Sequence, residues 1–286
     1  MAKILDSLKI SQALEEEIKT KLKGLPKLCL GSVVIGDNYS AGVYQSSQRK
    51  VALRLGVEYR PIKLAGDVSF DKFKIEIGKL NKDKSVTGII LNKPFPLRWK
   101  DSEVFSLLDE RKDVEGMHPV NLGKLFIGDT LGASDLLCIS PTVLSVIALL
   151  GETKVNLTAK KVTIVGFSSL IGKPLALFLG SEFATVSITH IETYKAGDLP
   201  AYLEGADIVI SAVGKPDLIK GDWIKKGAIV IDVGTGQKNG KLCGDVEFNV
   251  AKGKASYITP VPAGTGKLTT MFLYNNLILT AKMAGL

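Results

Sequence analysis

The segment Lys161-Val-Thr-Ile-Val-Gly-Phe-Ser-Ser-Leu-Ile-Gly-Lys-Pro174 carries β-branched residues into Gly166, then a small polar loop into Gly172, Lys173 and Pro174. β-Branched residues favour a strand, and proline is tolerated in the first turn of a helix. The segment therefore reads as strand, tight turn, helix. Such a turn lets backbone come close to a phosphate, while the helix N-terminus aims N–H groups and its positive dipole end at it. The spacing from Gly166 to Gly172 departs from G-x-G-x-x-G, so the same residues also fit a turn that holds no ligand.

The residues before this segment alternate in the same manner. Strands are expected over 28–36, 58–64 and 86–92, and helices over 43–55, closed by Gly56, and 70–80, with Phe70, Phe73, Ile77 and Leu80 on one face. Right-handed crossovers make this βαβαβ pattern a parallel sheet. A less regular zone, 111–135, follows, and Pro141 opens a helix over 142–150 that bridges two domains. The second half repeats the alternation, with strands over 161–165, 185–190, 208–213, 228–233 and 257–258, a helix over 173–179 and a short turn at 202–203. The tail over 268–283 reads as a helix that returns to the first domain.

The chain has 286 residues, 45% hydrophobic and 23% charged, which suits one large or two medium globular domains. No apolar run approaches the roughly 20 residues that span a bilayer. Cys29, Cys138 and Cys243 lie far apart and form no C-x-x-C pair, and His118 and His190 are the two histidines. This speaks against a metal site or a disulfide framework and for a reducing cytoplasm. The net charge of +8 comes from scattered lysines with few aromatics, a pattern of a basic surface or an acidic small-molecule ligand rather than of nucleic-acid binding.

Ser211-Ala-Val-Gly-Lys-Pro216 and Ile231-Asp-Val-Gly-Thr-Gly236 end two further strands in glycines, and ligands in open α/β sheets sit beyond such ends. Glu192 lies 26 residues after Gly166, near the roughly 20 expected of an acidic residue that holds the adenosine ribose. A carboxylate there repels a 2′-phosphate and favours NAD over NADP; a solvent-facing glutamate is the plain alternative. Tyr44 and Gln48 are four apart on one helix face. Lys112-Asp-Val-Glu-Gly116 with His118 is a polar loop, readable also as an Asp/Gly turn with His118 bonded to backbone. Thr259-Pro-Val-Pro-Ala-Gly-Thr-Gly266 pairs a rigid with a flexible turn.

Taken in order, the motifs resemble the FolD family, methylenetetrahydrofolate dehydrogenase/methenyltetrahydrofolate cyclohydrolase. They are Gly36-Asp37 with Tyr44, Gly88–Leu91 with Pro94 and Pro96, Lys112–Gly116 with His118, Pro119, Asn121 and Gly123, then Gly166, Ser168, Gly172, Pro174, Gly214-Lys-Pro216, Asp232-Val-Gly234, Gly244-Asp-Val246 and Ile258-Thr-Pro-Val-Pro262. The resemblance implies an α/β fold of two domains. A folate domain covers 1–141 with the C-terminal helix 267–286, and a Rossmann-like NAD(P)-binding domain covers 142–266. It also implies a homodimer. The substrate side comprises Tyr44, Gln48, Leu91, Asn92, Lys93, Glu115 and the turn Pro262, Ala263, Gly264, Thr265, Gly266, with Tyr44, Gln48, Asn92 and Glu115 as the catalytic set. The cofactor side comprises Gly166, Phe167, Ser168, Ser169, Gly172, Ile191, Glu192, Gly214 and Thr235.

Against the family pattern, Gln48 replaces a lysine that works in the cyclohydrolase step, Asn92 a glutamine, Glu115 an aspartate, Phe167 an arginine near the NADP phosphate, Ile191 a serine, and Ala263 a glycine. Hydride loss from the one-carbon bridge moves no proton, whereas hydrolysis of the methenyl bridge does, and Gln48 cannot titrate. The expectation is an NAD-preferring dehydrogenase whose cyclohydrolase activity is weak or lost. Two alternatives stand beside it: a bifunctional enzyme whose lysine role is met elsewhere, and a non-catalytic paralogue that binds folate or a nucleotide.

Overall fold

The computed structural model describes residues 1–127 and 138–286. Its first half runs β1 (Lys3–Ile4), α1 (Leu8–Leu22), β2 (Cys29–Ile35), α2 (Tyr39–Leu55), β3 (Glu58–Leu64), α3 (Phe70–Lys82), β4 (Gly88–Leu91), α4 (Asp101–Phe105), α5 (Pro119–Ile127) and α6 (Pro141–Thr153). The second half continues β5 (Lys161–Val165), α7 (Gly172–Ser181), β6 (Thr185–Thr189), α8 (Ile191–Lys195), α9 (Leu199–Glu204), β7 (Ile208–Ser211), β8 (Ile229–Asp232), β9 (Gly236–Lys238), β10 (Lys241–Cys243), α10 (Phe248–Lys254), β11 (Tyr257–Ile258) and α11 (Gly266–Met283).

The chain divides into two compact units, one of residues 12–141 with 270–286, the other of 1–11 with 142–269. In the first, β3, β2 and β4 form a parallel sheet in that order, with β2 central. All seven residues of β2 are buried, as expected of a parallel strand covered on both faces. Asn38 opens α2 by accepting the Ala41 N–H at 3.0 Å, and Gly56 closes it in the left-handed conformation at φ 70°. The core joins Ile18, Leu28, Leu30 and Ile90 to Tyr274, Leu277 and Ile278 of α11.

In the other unit six of the described strands form a parallel sheet ordered β1-β11-β8-β7-β5-β6, the order reversing beside β5, and β9 and β10 form a separate antiparallel pair. Val165, Val209, Val230, Ile258 and Leu203 pack in its core. Residues 1–11, grouped with the folate domain in the sequence reading, belong here because β1 pairs with β11. The middle of the irregular zone is a regular helix, α5, which Pro119 opens and His118 caps by accepting the Val120 N–H at 3.2 Å. Residues 128–135 of that zone lie outside the described residues. The turn expected at 202–203 is the full helix α9, started by Pro200 in its first turn.

Candidate active site

Residue identity puts a polar cluster into the interior of the first unit. Ser32 is the one hydroxyl of the central strand, and α2 lays Gln48 over it. Gln48 is 0% exposed. Its Oε1 accepts from Ser32 Oγ at 2.8 Å and Tyr59 Oη at 3.1 Å, and its Nε2 donates to Asn92 Oδ1 at 3.0 Å. Asn92, just past β4, donates in turn to Ser32 Oγ and the Val33 carbonyl, both at 2.9 Å. Tyr274 Oη fixes the α2 backbone by donating to the Gln48 carbonyl at 2.7 Å. Gln48, Asn92 and Ser32 thus close a ring of hydrogen bonds that holds no amine able to titrate. Ser32 and Tyr59 were missed; the only signal was a polar residue inside an apolar strand, which reports burial but not partners.

The loop after this sheet sorts its charges. Lys112 Nζ donates to the Leu80 and Asp83 carbonyls at 3.1 and 2.7 Å. Asp113 is fully buried and accepts from the N–H groups of Glu115 and His118 and from Asn121 Nδ2, at 3.1, 2.7 and 2.9 Å. Asn276 of α11 braces the same loop by donating to the Val114 and Ile139 carbonyls, both at 2.8 Å. Gly116 is obligatory here, since a Cβ on it would lie 2.2 Å from the Cys138 carbonyl oxygen at φ +66°. Lys112, Asp113 and His118 therefore hold the loop together, the plain reading of this motif.

Glu115 is different. It is 9% exposed, and no described residue gives its carboxyl a hydrogen bond. Burial, and then the charge of Asp113, push it up to about 8, while Lys93 pulls it back. The half-buried Tyr44 is its neighbour: burial first and Glu115 second push the phenol well above its usual range. A buried carboxyl without a donor costs free energy until a ligand supplies one. Tyr44, Gln48, Asn92 and Glu115 all lie in this unit. So do Leu91, which is buried, and Lys93, which is exposed and paired with Asp101.

In the other unit, β5 runs into Gly166 at φ +120°, whose N–H bonds the Thr189 carbonyl at 2.9 Å and so sets the loop beside the end of β6. A Cβ on Gly172 would lie 2.1 Å from the Gly166 carbonyl oxygen, and one on Gly166 would lie 2.7 Å from that of Ala212. Gly172 is therefore required by close backbone approach, and Gly166 both by close approach and by its positive φ. Ser168 turns the loop, its Oγ accepting the Ile171 N–H at 3.1 Å and its carbonyl the Lys173 N–H at 3.0 Å. Helix α7 then begins at Gly172, its positive end on the loop. Phe167 is half exposed, with Lys173 Nζ 4.8 Å from its ring centroid.

Ile191 and Glu192 form the first turn of α8, both exposed. Glu192 pairs with Lys195 at 2.7 Å, and its N–H donates to His190 Nδ1 at 3.3 Å. Gly214, at φ +78°, and Thr235 are exposed at the ends of β7 and β8. The turn Pro262–Gly266 also lies in this unit, its Ala263 carbonyl accepting from Ser7 Oγ at 2.9 Å. The arrangement offers a backbone cradle that glycine keeps open, a helix N-terminus and the lysine Lys173, the features that receive the phosphates of a dinucleotide.

Comparison with known proteins agrees on both units. The catalytic-domain model of the tetrahydrofolate dehydrogenase/cyclohydrolase family matches residues 5–115, and the NAD(P)-binding-domain model of the same family matches 140–285. The bifunctional protein FolD of Geotalea daltonii is 40% identical, over 97% of this chain and 98% of its own. The bifunctional FolD methylenetetrahydrofolate dehydrogenase/cyclohydrolase of Campylobacter jejuni has a TM-score of 0.89 at 35% identity, covering 99% of this chain and all of its own. The FolD of Trypanosoma brucei, solved with NADP and an inhibitor, has a TM-score of 0.91 at 30% identity, covering 99% of this chain and 98% of its own.

Proposed function

Because the chain belongs to the tetrahydrofolate dehydrogenase/cyclohydrolase family, we propose that it oxidises 5,10-methylenetetrahydrofolate to the methenyl form with NAD in preference to NADP, and that its cyclohydrolase step is weak. The observation that carries this is Gln48, fully buried and hydrogen-bonded to Ser32, Tyr59 and Asn92 where the resemblance calls for lysine.

The redox half needs little from this ring. Loss of hydride leaves a cation shared with the flanking nitrogens, so positioning and a nearby negative charge are what the protein must supply. When bound, the nicotinamide ring takes the hydride. Glu115 is the residue for the pterin: N–H donors of the substrate give its carboxyl the partners that no described residue supplies, which lowers its pKa and ionises it. Tyr44 offers an aromatic face beside it. Hydrolysis is the harder half, because water must be activated and protons carried. Gln48 and Asn92 donate and accept hydrogen bonds but cannot titrate. The missing general acid–base help is worth about 10² to 10⁴ in rate.

The cofactor preference rests on Glu192 and Phe167. A carboxylate at the start of α8 repels a 2′-phosphate, and Phe167 supplies no charge to bind one. Spectrophotometric turnover with each dinucleotide tests this: faster turnover with NADP at equal concentration removes the preference. A second reading keeps the cyclohydrolase and gives its amine to Lys93, which directly follows Asn92 and whose charge acts on Glu115. Under it, Lys93→Ala abolishes methenyl hydrolysis and spares hydride transfer; under the first, hydrolysis is slow in both proteins.

A further inference from the structure

Two buried carboxylates without an assigned role stand where the strands of the six-stranded sheet end. Asp245, just after β10, is fully buried and accepts from Ser211 Oγ at 2.7 Å, the Val213 N–H at 2.8 Å and the Lys215 N–H at 2.7 Å. Asp232, the last residue of β8, accepts from the Gly234 N–H at 3.0 Å and the Val246 N–H at 2.9 Å. Each carboxylate rests on a glycine beside the other. A Cβ on Gly234 would lie 2.0 Å from the Asp245 carboxyl carbon, and one on Gly244 would lie 2.0 Å from Asp232 Oδ2. The tie is therefore reciprocal: Asp245 grips the end of β7, and Asp232 grips the segment that carries Asp245.

Such an arrangement is costly. Burial pushes Asp232 up to about 7, against the pull of the Val246 N–H and with the charge of Asp245. Apolar residues would close the end of a sheet without that desolvation. A carboxylate does what they cannot, which is to gather convergent donors and fix the backbone that bears them. The backbone fixed here is 213–215, with Gly214 clamped between two bonded N–H groups at φ +78°.

We propose that Asp245, backed by Asp232, is a positioning residue that holds the 213–215 loop in the shape that receives the dinucleotide, touching neither ligand itself. The inference rests on the dinucleotide reading of that loop. Asp245→Asn and Ser211→Ala test it, with titration of NAD and steady-state kinetics on the full chain. An amide at 245 keeps the size but loses the charge and turns donors toward donors.

The expected result is a rise in Kd and KM for NAD of about tenfold or more for Asp245→Asn, and a smaller rise for Ser211→Ala. The kcat at saturation and the KM for methylenetetrahydrofolate should stay within about twofold. Should Asp245→Asn fail to fold, Ser211→Ala, which leaves the Val213 and Lys215 bonds in place, carries the test alone. A fall in kcat at unchanged KM for NAD, or no change in either, overturns the positioning role. A wild type that binds no dinucleotide overturns the reading of the loop and this inference with it; wild-type binding with unaffected variants overturns this inference alone.

Discussion

Glu115→Gln should make the ligand-free protein more stable and the enzyme worse. Glu115 is 9% exposed, and burial followed by the Asp113 charge raises its carboxyl from an ordinary 4.5 to about 8. A raised carboxyl binds its proton more tightly in the folded chain than in the unfolded one, so stability falls as pH rises through that interval. Its contribution is intact below 4.5 and gone above about 8. At 1.36 kcal/mol for each tenfold in proton affinity, ionising it in the fold costs up to about 5 kcal/mol. Glutamine has the shape of the protonated acid and never pays this cost. Urea unfolding of both proteins from pH 6 to 9 measures the difference. The variant's advantage should widen from about 2 kcal/mol at the acid end toward about 5 at the alkaline end, while its KM for methylenetetrahydrofolate rises. A stability difference that is flat across this range would refute a buried carboxyl with no hydrogen-bond donor among the described residues.

Ala263 adopts φ +89°, a conformation that glycine holds without a Cβ penalty, so Ala263→Gly should stabilise the protein by about 1 kcal/mol or less after the entropy of the unfolded glycine is deducted. Thermal unfolding reads this out, and a lower Tm counts against strain at that turn. Gly172→Ala sets a Cβ 2.1 Å from the Gly166 carbonyl oxygen and must open the loop; dinucleotide affinity should collapse while folate affinity stays, as equilibrium titration of each ligand will show. Glu192→Ser removes the carboxylate that opposes a 2′-phosphate, and the ratio of kcat/KM for NADP over NAD should rise by about tenfold; an unchanged ratio would remove Glu192 from the selectivity argument.

Much of the fold could be read because parallel strands covered on both faces appear as mostly apolar runs such as Cys29–Ile35, broken only by Gly31 and Ser32, and Ile229–Ile231 before Asp232. β1 had no such mark: Lys3–Ile4 is too short to signal anything and is a strand because Tyr257–Ile258 pairs with it. Helix α5 hid behind the glycine and the polar residues around it, although Pro119 is a recognised opener. At the site, Tyr44 and Gln48 could be placed on one face by helical spacing, and Glu115 by motif. The partners of Gln48 could not, because Ser32 of β2, Tyr59 of β3 and Asn92 just past β4 meet only in the folded sheet. Asp245 escaped for the same reason: its ligands lie about thirty residues upstream, and nothing local distinguishes it from a turn aspartate.

Hydride transfer needs no titrating amine at position 48, and methenyl hydrolysis does. Gln48→Lys tests this, because Asn92 Oδ1, Ser32 Oγ and Tyr59 Oη can each accept from an ammonium placed where the amide now sits. Both half-reactions should be followed in the wild type and the variant, the first by dinucleotide reduction and the second by loss of the methenyl chromophore. The hydrolysis rate should rise by about 10² or more with dehydrogenase turnover nearly unchanged. Fast hydrolysis in the wild type, unaltered by the substitution, would contradict this.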